Sequence, residues 1–125
     1  MDFVDIGLWV CQALLALGMA GAGAMKAATP REKLMGQMKW VARFPSWAPR
    51  AIGIAEVAGA VGIILPWATG ILPILTPIAA VCLFVLMVGA VKAHIDDHEA
   101  SHGIAPAILG LLAVAIAVGR AGALG

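Results

Sequence analysis

The sequence predicts an all-α membrane protein: an antiparallel bundle of four transmembrane helices with a short amphipathic interfacial helix between the first two. Three observations predict it. The 125 residues are 62% hydrophobic and 12% charged, with a mean hydropathy of +1.01, whereas a soluble domain carries roughly 45–50% apolar and about 25% charged residues. Four apolar stretches each reach the roughly 20 residues that a helix needs to cross a hydrocarbon core of about 30 Å. The basic residues gather at alternate connections between those stretches. Soluble and disordered chains are excluded on composition, and a net charge of +1 leaves no polyanion footprint for a nucleic acid. Residues 1–125 read as one integral-membrane domain. Cys11 and Cys82 each lie alone in an apolar run, which supports neither a disulfide framework nor a thiol-redox pair.

The spans fall at about residues 6–28, 48–67, 71–93 and 104–123. Before the first, Asp2 and Asp5 stand where a signal peptide would carry positive charge, so this segment is expected to be retained. Trp9 marks its start. Trp47 and Trp67 bracket the second span, about 30 Å apart at 1.5 Å per residue, as an aromatic belt requires. The connection around Ala68, Thr69 and Gly70 is short and makes spans 2 and 3 a hairpin. Pro73 and Pro77 fall in the early turns of span 3 and are expected to bend or loosen it. Arg120, near the end of span 4, is expected to snorkel outward.

Lys26, Arg31, Lys33, Lys39, Arg43 and Arg50 surround the first connection and Lys92 begins the third, against Arg120 on the other side. Connections one and three are therefore expected in the cytoplasm and both termini outside, in the cytoplasmic membrane of a bacterium. Within the first connection, Thr29, Pro30, Arg31 and Glu32 read as a capping box with proline in the first helical position. Leu34, Met35, Met38, Val41 and Ala42 then share one helical stripe, with Lys33, Gln37, Lys39 and Arg43 on the other face. Such a helix lies in the headgroup region or docks a partner protein. Phe44, Pro45 and Ser46 end it, and Pro49 sits in the first turn of span 2.

Transmembrane helices associate through close packing and polar contacts. Gly18, Ala22 and Lys26 form one stripe of span 1; Gly53, Glu56, Gly59 and Ala60 share a face of span 2; Ala90 and His94 are one turn apart in span 3. Each stripe of small residues carries an ionisable group. Glu56 lies on the order of 12 Å below the start of its span, where a carboxylate is costly unless paired or protonated. An antiparallel bundle brings Lys26, Glu56, Lys92 and His94 towards one cytoplasmic-facing pocket. That pocket could bind a ligand, with Lys26, Glu56, Lys92 and His94 as its polar groups, or perform catalysis through Glu56, His94 and Lys26. A Lys26–Glu56 bridge that merely fixes helix register is the alternative, as is a Lys26 that snorkels to the headgroups. After His94, a continued helix would align His98 and His102 with it, spaced for zinc or another first-row metal. A solvated loop explains the same residues; without a defined fourth ligand no metal site is assigned, and no cofactor motif is present.

Three of these segments together resemble a known family. Gly23, Ala24, Met25 and Lys26, closing a glycine-rich span, look like the first motif of the DoxX family. Gly53, Ile54, Ala55 and Glu56, followed by Gly59 and Pro66, look like its second, and Gly89 to His94 like its third. The basic first connection and Phe44-Pro45 resemble the DoxX-like branch. The resemblance covers about residues 10–100 and implies a four-helix membrane protein associated with membrane redox systems, with kinship to small membrane chaperones of receptor assembly. Lys26, Glu56 and His94 match the family's polar motif positions. The expected function is an accessory or anchor subunit of a membrane oxidoreductase complex, docked to a soluble partner through the basic helix. A cofactor-independent membrane enzyme doing acid–base isomerisation, cyclisation or epoxide opening on a lipophilic substrate is the alternative, and a proton-coupled transporter a second one. The lipid bilayer, a lipophilic small molecule and a second copy of the chain are the further partners expected.

Overall fold

The structure, a computed structural model, describes residues 2–124. Helix α1 (Phe3–Ala28) starts where the Asp2 side chain accepts the Asp5 N–H at 2.7 Å, satisfying one of the free donors of the first turn. It ends at Thr29, whose backbone is extended because Pro30 follows and disfavours the α conformation before it. The capping box expected at Thr29 is not formed: Thr29 closes α1 with its N–H on the Met25 carbonyl, and α2 (Arg31–Gln37) begins after Pro30 without a side-chain cap.

The single amphipathic helix expected next is broken in two. Met38 is extended, and a second short helix, α3 (Trp40–Arg43), follows. On a continuous helix Trp40 would lie roughly 120° from the stripe of Leu34 and Val41. The break turns it inward, and Leu34, Trp40 and Val41 form a small buried cluster against Met38, Ile52 and Ala93.

Span 2 is likewise interrupted, into α4 (Ala48–Gly62) and α5 (Leu65–Thr69). Pro66 has no N–H to offer the Gly62 carbonyl one turn back. Two distant side chains serve the carbonyls at this break instead. Thr76 Oγ1 donates to Gly62 at 3.1 Å, and Gln12 Nε2 to Ile63 at 2.6 Å. Gly70, in the left-handed region at φ 74°, closes α5.

Helix α6 (Leu75–Asp96) starts four residues later than the expected 71. Pro73 therefore precedes the helix and Pro77 sits in its first turn, where a missing N–H is harmless; α6 runs uninterrupted. A 3-10 turn at Ala100–Gly103 leads into α7 (Ile104–Leu124).

The long helices pack in a ring in which α1 meets α4 and α7, and α6 meets α4 and α7. Rising residue numbers on one helix meet falling numbers on its neighbour: Leu8 lies against Gly119 and Gly18 against Leu109, while Gly23 lies against Gly53 and Gln12 against Ile63. The other two seams follow suit, with Gly59 against Leu83 and Gly62 against Ala79, then Met87 against Gly110 and Val91 against Gly103. The tightest seam is between α1 and α4. A Cβ on either Gly23 or Gly53 would lie 2.5 Å from the other's carbonyl oxygen, so only glycine lets these backbones come so close.

Leu15, Met19, Ile63, Leu83 and Ile116 fill the centre. Outside, Val10, Leu17, Val85, Leu111 and Val118 are exposed. Four helical segments are long and apolar enough to cross a membrane, with only about a fifth of each buried inside the bundle. The remaining apolar surface suits lipid rather than water.

Candidate functional site

The approach of Gly23 to Gly53 places Lys26, one turn further along α1, beside Glu56 of α4. Lys26 Nζ and Glu56 Oε1 are 2.7 Å apart, and the side chains are 13% and 1% exposed. A carboxylate this deeply buried is tolerated because an ammonium stands against it in hydrogen-bonding geometry.

Both residues line a cavity of about 340 Å³ near one end of the bundle, and His94, in the last turn of α6, lines it too. The remaining wall is apolar. Met19 and Ala22 come from α1, Met87 and Ala90 from α6, and Pro106 and Leu109 from α7. The first connection contributes Met38, Trp40 and Phe44. Trp40 and Phe44 meet edge to face with ring centroids 5.4 Å apart. The connection is tied to the loop after α6 by two ion pairs, Arg43–Asp97 at 3.0 Å and Lys39–Glu99 at 3.9 Å.

Three of the four expected site residues thus share one cavity. The fourth is elsewhere: Lys92 is 76% exposed, pairs with Asp96 one turn on at 2.7 Å, and does not line the cavity. Nor do the three histidines align. Helix α6 stops at Asp96 and His98 takes a left-handed φ of 59°, so the chain reverses. His94 faces His102, with ring centroids 5.9 Å apart, and Glu99 joins them in place of His98.

A carboxylate, an ammonium and an imidazole in one apolar chamber can hold a polar headgroup whose hydrophobic remainder fills the rest. The same groups can pass or accept a proton.

The model of the DoxX-like family matches residues 10–116. The chain belongs to the DoxX-like family. All three motifs that carry the resemblance lie inside the matched segment, and their polar residues Lys26, Glu56 and His94 meet at the cavity. Comparison with curated proteins and with solved structures finds no match.

This DoxX-like chain has a second polar cluster at the opposite end of α1, and there the expectation for Arg120 is corrected. Arg120 does not snorkel outward; it is 1% exposed. Its Nε donates to Gln12 Oε1 and its Nη1 to Asp5 Oδ1, each at 2.7 Å. Its guanidinium lies over the rings of Trp67 and Trp9, at 4.7 and 5.3 Å from their centroids. Two acceptors on α1 and two aromatic faces make the interior a better place for this cation than the surface. Asp5, Gln12, Met19 and Lys26 recur every seventh residue, a spacing that keeps all four on one inward stripe and could have flagged Gln12 and Asp5. Trp40 and Phe44 of the cavity wall were hidden for another reason: their inward placement depends on the break at Met38.

Proposed function

We propose that this DoxX-like membrane protein binds a lipophilic small molecule with a hydrogen-bonding headgroup in the cavity between its helices. In this reading it serves as an accessory subunit of a membrane oxidoreductase complex. The observation that carries the binding reading is the Lys26–Glu56 pair, buried yet lining an apolar cavity together with His94. A pair serving only helix register needs no cavity beside it. Family membership supports the link to redox partners, and the basic residues of the first connection supply a surface complementary to an acidic soluble protein.

The test is purification in mild detergent followed by mass spectrometry of retained proteins and small molecules. Wild type is expected to carry a stoichiometric lipophilic molecule that Glu56→Gln, still folded, does not retain. A soluble oxidoreductase in the same preparation supports the accessory role. Wild-type protein that carries no small molecule overturns the binding reading.

A second reading is favoured by one feature, that Glu56 and His94 both line the same cavity. With that geometry Glu56 acts as general acid or base on a bound lipophilic substrate, and His94 or Lys26 steadies developing charge. Substrate held but not turned over by Glu56→Gln is the expected result under that reading. The transport alternative gains no such support: along α1, buried Leu15 and Met19 separate the two polar clusters.

A further inference from the structure

The loop after α6 brings Glu99 and His102, which the binding reading leaves unused, beside His94 of the cavity wall. The reversal after α6 is built by a run of backbone hydrogen bonds. Asp97 N–H donates to the Ala93 carbonyl, His98 N–H to Ile95 and Glu99 N–H to His94, the last at 2.7 Å. His98, at φ 59°, points the chain back on itself. The 3-10 turn then sets His102 over the end of α6. In consequence one ligand atom each from His94, Glu99 and His102 lies within 4.8 Å of the others.

The chemistry of this trio is specific. Two imidazoles and one carboxylate are a donor set for zinc or a neighbouring first-row divalent metal. Tetrahedral coordination at about 2.0–2.2 Å separates ligand atoms by roughly 3.4 Å, which small side-chain rotations reach from the present positions. Glu99 has an outer partner on one oxygen, Lys39, while its other oxygen faces His102 Nδ1, as a ligating carboxylate usually has. His94 belongs both to the trio and to the cavity wall, so a metal held there would adjoin the chamber.

The geometry points to a divalent metal site formed by His94, Glu99 and His102 at the rim of the cavity, with zinc as the fitting ion. The site goes beyond the ligand-binding reading and does not depend on it, because metal uptake is read without any small molecule.

The full-length protein in detergent, stripped with a chelator and dialysed, is challenged with zinc chloride and its metal content measured per chain. A parallel sample receives cobalt chloride, whose visible absorption reports coordination geometry. Wild type and His98→Gly, which removes the imidazole and keeps the left-handed turn, are expected to take up about one zinc per chain and to show tetrahedral cobalt absorption. His102→Ala and Glu99→Gln, with unchanged elution and thermal transition, should bind more weakly by over the roughly 10–100-fold that an outer-shell change costs. Wild-type protein that takes up no zinc overturns the site, and that arm needs no variant to fold. Equal loss in His98→Gly, or uptake unaffected by His102→Ala and Glu99→Gln, overturns it as well.

Discussion

Arg120 and Glu56 are both charges inside an apolar bundle, and their neighbourhoods explain why one was legible and the other not. Glu56 is an isolated acid in the middle of a span, so burial follows from position alone. Arg120 stands near a helix end, where a long cation ordinarily reaches the headgroups; its true partners, Asp5 and Gln12, are 115 and 108 positions away in the chain. Removing it strands a buried amide and a partly exposed carboxylate. Arg120→Ala is therefore expected to destabilise the protein by about 3 kcal/mol, measured by denaturation in detergent. That figure sits at the low end of the usual range because Asp5 is 29% exposed. Arg120→Lys should recover less than half of the loss, since lysine lacks the planar fork whose separate nitrogens meet Gln12 and Asp5 and whose face lies over two tryptophans.

Helix boundaries respond to the same local chemistry but are finished by distant groups. Pro66 dictates that span 2 breaks; Thr76 and Gln12 make the break tolerable by taking up the carbonyls of Gly62 and Ile63. Thr76→Val keeps the shape, removes the donor and is expected to cost about 1–2 kcal/mol, again by denaturation in detergent. The seam between α1 and α4 gives a sharper contrast. Gly53→Ala forces a Cβ to within 2.5 Å of the Gly23 carbonyl, and no flexible side chain stands there to yield. A loss of about 1–3 kcal/mol is expected, together with a loosened Lys26–Glu56 contact. Gly21, on the same helix with nothing within 4 Å of an added Cβ, is the control: Gly21→Ala should leave stability unchanged or slightly raised. The first connection shows the limit of periodicity. Of its apolar stripe only Leu34 and Val41 are buried, Met35 and Ala42 being exposed, and it leaves Trp40 on the polar face because a seven-residue helix followed by an extended Met38 has no single period.

At the scale of the whole molecule, charge and polarity are divided between the two ends. Seven basic residues cluster about the cavity end, and the one cation of the other end is buried against Asp5. The asymmetry that orients a chain in the membrane is thereby sharper than the count of basic residues implies. Cysteine reporters test it in whole cells, with native Cys11 and Cys82 replaced by serine. Ser46→Cys in the first connection should stay closed to an impermeant thiol reagent, and Thr69→Cys at the opposite end should react. The reverse pattern would invert the expected orientation and place the cavity mouth outside.

The fold class, the four spans, the family and the trio Lys26, Glu56 and His94 were legible in the residues because each rests on a one-dimensional quantity. Apolar length sets whether a helix can span, charge counts set the asymmetry, and an ionisable group inside an apolar run stands out wherever the run folds. Tertiary structure decided how closely these groups approach and which others join or leave them. The contact of Gly23 with Gly53 sets Lys26 on Glu56; the reversal at His98 exchanges that histidine for Glu99 beside His94 and His102; and the approach of α7 to α1 buries Arg120. Such pairings depend on the distance between backbones far apart in the chain. Hydrophobic periodicity records which face of a helix is turned inward, but it carries no measure of how closely the facing helix approaches.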